Sequence, residues 1–343
     1  MSGSHDFRSL LRALIAGADL DAEAMAFAIG AMMDATWSQV QAGAFLAALA
    51  TKGETAAEVF GAAEAMRARC LHVEHGLDLV VDTCGTGGDG AHTINVSTAA
   101  GFVLAGCGLH VAKHGNRAAS SLCGSADVLE ACGIAIDVAP EAARAQLEHD
   151  RFAFLFAPHY HPAAKEVAPV RRDLGVRTIF NILGPLANPA RATHQVIGVA
   201  NEKHLELVGR ALQSLGAQAG AIVHAASGID EIAGDGPTHV YQFGAGGTRR
   251  WILDPQSVGV SAPPGALSGG SPAFNAAALR AILEGEETPR AGVVALNAAL
   301  VLVVAERAGD LAEGLALARA SLASGAALAV FDRLRRPTEM EIA

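Results

Sequence analysis

The stretch LDLVVDTCGTGGDGAHTINVST, Leu77 to Thr98, decides the fold. Its apolar run, Leu77 to Asp82, has the length of a buried strand; it drops into a glycine-dense loop, Cys84 to Gly90, and a helix-like pattern starts at Ser97. Strand, loop and helix in that order form the unit from which α/β folds are built. Glycines at 85, 87, 88 and 90 allow backbone N–H groups to turn toward an anion with no side chain in the way, beside Asp89. Thr93, Asn95, Ser97 and Thr98 then add small donors where the helix opens. Taken alone the loop is a weak signal: a tight structural turn explains it about as often, and it carries neither a Gly-Lys-Ser/Thr ending nor a GxGxxG spacing.

Downstream, similar apolar runs at Leu109–Lys113, Phe154–Ala157, Gln195–Val199 and Ala219–Ala225 alternate with helical patterns such as Ala139–His149 and Lys203–Leu215. That alternation predicts a mostly parallel sheet flanked by helices, with Val293–Ala308 and Leu311–Ser324 as two packed helices near the C-terminus. Upstream, Phe7, Leu10, Leu11, Leu14 and Ile15 repeat at helical spacing before Gly17. Asp21, Ser38 and Thr55 are candidate N-caps for three further helices, the last ending near Arg69. The fold class expected is therefore α/β, a small N-terminal all-α unit joined to a larger α/β unit.

Composition narrows the function. Of 343 residues, 25 are Lys or Arg and 35 Asp or Glu, a formal charge of −10, which weighs against nucleic acid as a partner. With 51% hydrophobic and 17% charged residues the chain can bury a large core, in two packed units at this length. Cys70, Cys84, Cys107, Cys123 and Cys132 show no CxxC spacing, so neither a zinc site nor a disulfide framework is expected; they read as reduced thiols of a cytoplasmic protein. The first residues carry no secretory pattern, and no apolar run reaches the length of a membrane span.

Three more clusters carry chemistry. Lys113-His114-Gly115-Asn116-Arg117-Ala118-Ala119-Ser120-Ser121 follows a strand, where an α/β sheet places its ligand; two cations, two hydroxyls and a glycine in nine residues weigh against a merely solvated loop. Gly124-Ser125-Ala126-Asp127 opens a helix, and either Ser125 or Asp127 also suits a plain N-cap. Asp230-Glu231, just after the run ending at Ala225, suits one or two Mg²⁺ ions that share substrate phosphates, although adjacent acids on a surface turn are common. His159-Tyr160-His161-Pro162 reads as a shaped pocket wall, and Arg171 of the pair Arg171-Arg172 as a clamp for a carboxylate or as a solvent-facing charge.

Taken in order, DTCGTGGDG (82–90), NVST (95–98), KHGNRAASS (113–121), GSADVLEACG (124–133), VRRDLGVRTIFNILGPLANPA (170–190) and the Asp-Glu pair closely resemble the anthranilate phosphoribosyltransferase family of tryptophan biosynthesis, as does QAGAFLAALATKGET (41–55). The resemblance covers essentially the whole chain. It implies a small α domain (1–71 and 172–190) that forms a homodimer, an α/β domain (72–171 and 191–343), and an active site in the cleft between them. It further implies contacts to phosphoribosyl pyrophosphate (PRPP) from Gly85, Gly88, Asp89, Thr93, Asn95, Val96, Ser97, Thr98, the run Lys113, His114, Gly115, Asn116, Arg117, Ala118, Ala119, Ser120 and Ser121, and Ser125. Mg²⁺, two ions per site, falls on Ser97, Asp230 and Glu231. Anthranilate falls on Gly85, Asn116 and Arg171, with His114, Tyr160, His161 and Pro162 lining its approach. No general acid or base is implied: Lys113, Asn116 and Arg171 act by charge and position. Leu122-Cys123 departs from the family, which commonly has a basic residue followed by Ser there, and so do Cys84 and Ala164. Two other functions compete: a pyrimidine nucleoside phosphorylase of the same fold, and a non-catalytic relative that binds nucleic acid. The Lys113–Ser121 cluster with Asp230-Glu231 favours PRPP over the first, and the acidic balance disfavours the second.

Overall fold

The computed structural model describes residues 5–118 and 121–335. Its centre is a seven-stranded sheet: β1 (Val80–Gly85), β2 (His110–Gly115), β3 (Phe152–Phe156), β4 (His194–Gly198), β5 (Ala219–Ala225), β6 (Thr238–Gly244) and β7 (Gly247–Leu253). The strand order is β3-β2-β1-β4-β5-β6-β7. The first five strands run parallel, as the alternating pattern predicts. The last two form an antiparallel hairpin on one edge, which the sequence pattern does not announce.

The chain passes from β1 to β2 on one side and later crosses to β4 on the other. The strand order therefore reverses beside β1, and the crevice outside the carboxyl ends of β1, β2 and β4 is where such a sheet binds ligands. Both faces of the sheet are covered. On one, the helices Val96–Gly106 and Pro289–Val304 bury Phe102, Val103, Leu296 and Leu300 against Val81, Val111, Val196 and Val223. On the other, Ile197, Ile222, Tyr241 and Phe243 share a core with Met25, Ile29, Phe45 and Leu46 of the N-terminal helices.

The N-terminal helices are Phe7–Ile15, Ala22–Met33, Gln39–Lys52 and Ala56–Arg67, and the last three start where their caps predict. The Asp21 side chain accepts from the Ala24 amide, and Ser38–Gln41 and Thr55–Glu58 form reciprocal capping boxes. Glu58 does more than cap. Fully buried, it also accepts from the Leu20 amide and from Lys52 Nζ, tying the second helix's entrance to the fourth. The segment 167–187 returns to this core through Val167, Val170, Ile179, Phe180, Ile182, Leu183, Leu186 and Ala187. This return brings Arg171 and the Phe180 ring to the cleft at the ends of β1 and β2. Among the described residues, no single helix is long and apolar enough to cross a membrane.

Candidate functional site

A cleft of about 780 Å³ lies between the carboxyl ends of the sheet and the segment 157–185. Its volume falls in the range of small-molecule sites. One wall is the glycine loop that follows β1. Gly87 and Gly88 have φ of +67° and +77°, a left-handed pair that glycine adopts without strain. At Gly85 a Cβ would overlap the Asp230 carboxylate, so this position must be bare for the acid to reach the loop, where Asp230 Oδ2 accepts from the Gly87 amide at 2.6 Å.

Beside it, Glu231 Oε1 accepts from the Ser97 amide at 3.1 Å, at the N-terminus of the helix Val96–Gly106, where the helix dipole favours negative charge. Asp89 Oδ2 in turn accepts from the Asp230 amide at 3.3 Å. Burial, with the negative charge of Asp89 beside it, pushes Asp230 up to about 7. Burial and then Asp230 itself push Glu231 up to about 8, against the pull of Lys113 and Ser97. These acids crowd one pole of the cleft and are short of positive charge. No group of three His, Cys, Asp or Glu among the described residues is arranged to hold a metal alone. The donor set therefore suits a hard cation that takes its remaining oxygens from water or from a bound phosphate.

β2 ends in Lys113, His114 and Gly115. Lys113 is only 1% exposed; its Nζ donates to Thr83 O at 2.6 Å and to Ser97 Oγ at 3.3 Å. A buried carboxylate supports this strand end from beneath: Asp82 accepts from the His114 amide through Oδ1 and from Asn188 Nδ2 through Oδ2. His114 Nδ1 lies 3.0 Å from Gly184 O, and its ring is 5.1 Å from that of His161. Burial lowers His114 to about 3 and His161 to about 4, so both line the cleft as neutral imidazoles.

The opposite pole is Arg171. Its guanidinium sits 5.4 Å from the centroid of Phe180, and burial alone lowers its pKa. Among the described residues no carboxylate pairs with it. A partly desolvated, unpaired guanidinium stacked on a ring is a site for a planar anion.

The cleft gathers Gly85, Gly88, Asp89, Thr93, Asn95, Ser97, Thr98, Lys113, His114, Gly115, Asn116, Arg117, Ala118, Ser121, Ser125, His161, Pro162, Arg171, Asp230 and Glu231. Ala119 and Ser120 lie outside the described residues. Two expected residues turn their side chains away from the cleft. Val96 is fully buried in the core under the sheet and does not line the cleft. Tyr160 points the other way: the short helix Ala157–Tyr160 turns its ring into the core beside Leu147 and Leu155, and its hydroxyl donates to Val138 O at 2.8 Å. His161, one residue on, takes the cleft-facing position.

Some expected contacts are already engaged within the protein. Asn95 donates to Cys123 O and accepts from Asn275, and Arg117 pairs with Asp127 and Glu130. The acceptor-side lining by Met66, Phe180, Asn181, Gly184 and Pro185 goes beyond the residues expected from sequence, and so does the Asp82–Asn188 support. The segment 170–190 carried the only signal for Phe180, Asn181, Gly184 and Pro185, Met66 of the helix Ala56–Arg67 carried none, and Asp82, a carboxylate closing an apolar run, was the only signal for the support.

Comparison with known proteins agrees with this layout. Residues 8–70 match the helical bundle domain of the glycosyl transferase family, and residues 77–328 match its a/b domain. The solved structure of the Thermus thermophilus anthranilate phosphoribosyltransferase superposes with a TM-score of 0.90 at 42% identity, covering 95% of this chain and 98% of that one. The Saccharomyces cerevisiae enzyme, solved in complex with PRPP and Mg, gives a TM-score of 0.88 at 26% identity over 96% of each chain. The anthranilate phosphoribosyltransferase of Chloroflexus aggregans is 48% identical over 334 residues, 96% of this chain and 97% of its own. Likeness of that degree along the whole length, in both the helical and the α/β parts, means that the chain belongs to the anthranilate phosphoribosyltransferase family.

Proposed function

We propose that the protein transfers the 5-phosphoribosyl group of PRPP to the amino group of anthranilate, releasing pyrophosphate. The observation that carries this reading is the polarity of the cleft. One pole offers a glycine loop, a helix N-terminus, Lys113 and paired acids for a diphosphate; the other offers an unpaired arginine over an aromatic ring for a carboxylate.

In this reading the diphosphate of PRPP lies along the Gly85–Gly90 loop and the ribose phosphate near Asn116 to Ser121 and Ser125. Lys113, held from behind by Thr83 O, contributes fixed positive charge where negative charge develops as the bond from C1 to pyrophosphate breaks. The sugar left behind has oxocarbenium character, so what the protein must do is stabilise the departing group and aim the nucleophile. Arg171 binds the anthranilate carboxylate and thereby directs the adjacent amine at C1. An aromatic amine is unprotonated at neutral pH and attacks C1 through its lone pair; the nitrogen of the product is then acidic enough to lose its extra proton to water, so no strong base is needed, and His114 and His161, whose basicity burial lowers, serve as walls. Asp230, Glu231 and Ser97 would hold Mg²⁺; when bound, the ion supplies the charge that neutralises the diphosphate and allows both acids to ionise. Two ions per site is the number we propose.

The helical part is read as the dimer-forming domain, 1–71 with 172–190; the exposed Ile15, Val40 and Val176 in those segments support a second copy as its partner. The test of function is the loss of anthranilate fluorescence on mixing protein, anthranilate, PRPP and Mg²⁺. Decay that needs every component is expected. Binding of PRPP with no decay would move the acceptor elsewhere and leave Arg171 without its role.

A further inference from the structure

Arg177 stands outside the cleft, in the short connection between the helices Ala168–Leu174 and Phe180–Leu183. That connection is pinned at both ends: Gly175 closes the first helix in a left-handed conformation, and the Thr178 amide donates to Asn181 Oδ1 at 2.9 Å. From this fixed base Arg177 crosses to the back of the glycine loop. Nη1 donates to Gly88 O at 2.9 Å and Nη2 to Gly87 O at 3.3 Å. At Gly88 a Cβ would run into the guanidinium, so the loop backbone is bare where the arginine meets it.

The peptide geometry converts this outer contact into an inner one. In a trans peptide the N–H points opposite to the C=O of the same plane. The carbonyls of Gly87 and Gly88 share their planes with the amides of Gly88 and Asp89. Holding the two carbonyls outward therefore turns those two amides away from Arg177, toward the cleft that Gly88 and Asp89 line. Among the described residues neither amide has an acceptor, whereas the neighbouring Thr86, Gly87 and Ala91 amides each have one. Two successive free amides on one side of a turn form an anion-binding concavity, and a cation bound to the carbonyl end of each peptide strengthens its N–H as a donor.

We propose that Arg177 is a positioning residue for the diphosphate end of PRPP, clamping the glycine loop from outside so that the Gly88 and Asp89 amides face the ligand. The clamp also joins the element that carries Arg171 to the loop that receives the donor substrate. Separation of the two sides of the cleft must break it, and the amide nest loosens in the same event. This inference rests on the PRPP reading above.

The test compares wild type with Arg177→Ala and Arg177→Lys in steady-state turnover, with pyrophosphate as product inhibitor. Arg177→Ala should raise the KM for PRPP and the inhibition constant for pyrophosphate together, by about tenfold, as expected when two backbone amide contacts to the ligand are weakened. The KM for anthranilate should change by less than about twofold. The lysine variant, which reaches one carbonyl rather than two, should fall between them. Because Arg177 is solvent-exposed, the thermal midpoint of both variants should stay near that of wild type, so a folding defect is distinguishable. Unchanged PRPP and pyrophosphate constants, or an equal rise in the anthranilate KM, would overturn the clamp. A wild-type protein that does not consume PRPP would instead overturn the functional reading on which it rests.

Discussion

Arg171→Ala is the most discriminating perturbation of the acceptor side. The guanidinium lies 5.4 Å from the Phe180 centroid, partly desolvated and without a carboxylate partner among the described residues. Its removal deletes a charge-assisted, two-pronged contact to the substrate carboxylate of about 1.5–3 kcal/mol, a rise of about 10- to 150-fold in the KM for anthranilate. The protein itself should lose little. The stack on Phe180 is worth about 0.5–1 kcal/mol, and deleting an unpaired cation also relieves its desolvation, so the two effects oppose each other. Arg171→Lys keeps charge without the fork and should fall between wild type and Ala. The assay is the fluorescence decay of anthranilate at saturating PRPP, repeated with an aniline acceptor that lacks the ortho carboxylate. On wild type the truncated acceptor should be penalised by a factor similar to that of the mutation, and on the variant it should suffer no further penalty, because the two changes remove the same contact. A variant that still discriminates between the acceptors by the full factor, or one whose PRPP KM rises equally, would refute the pairing.

The remaining predictions concern the other walls of the cleft. Asp230 and Glu231 sit above their unfolded values, so the stability they contribute is present below about pH 4 and is lost as pH rises through about 7 to 8, where the folded-state groups ionise. The metal-free thermal midpoint should therefore fall from about pH 4 to about pH 8 and level off above that, and the rise caused by added Mg²⁺ should grow over the same window; a shift independent of pH would count against these acids as the ion's ligands. Gly85→Ala places a methyl group in the Asp230 carboxylate and should lower kcat/KM at least about tenfold with a weakened Mg²⁺ titration, while an unaltered titration would show that the acid can move aside freely. Tyr160→Phe leaves the buried Val138 carbonyl without its donor and should cost about 1–3 kcal/mol in chemical denaturation. Its KM for anthranilate should stay at the wild-type value, and a raised KM with unchanged stability would return Tyr160 to the cleft.

The features legible in the sequence were those whose cause is local. Asp21, Ser38 and Thr55 announce helix starts because a cap acts within three residues of itself. The parallel strands show as short apolar runs because both faces are covered. The hairpin β6–β7 escaped because its outer strand is an edge. Gly247, Thr248, Arg249 and Arg250 are exposed, and charged residues that guard an edge against pairing also erase the alternation by which a strand is recognised. The only local hint was Gly244-Ala245-Gly246-Gly247 between two β-rich runs, a two-residue turn flanked by glycine.

The same distinction separates the two poles of the site. The diphosphate side is built from contiguous pieces, because backbone amides can only form a cradle when successive residues supply them; a motif is then the site written out in order. The acceptor side is built from Met66, His114, His161, Arg171, Phe180 and Pro185, which meet only after the segment 167–187 returns to the N-terminal helices. Which neighbour faces the ligand depends on the local backbone. Tyr160 ends the short helix Ala157–Tyr160 while His161, at φ −120° and ψ +62°, has already left it, and the phenol ring takes the core while the imidazole takes the cleft. Residue order alone places both near the ligand without choosing between them. Arg177 belongs to the same class. Its effect passes through the backbone of a loop that lies 89 and 90 residues away in the chain, so nothing adjacent to it spells out a phosphate site. Such residues become visible only when the direction of each peptide in the loop is known.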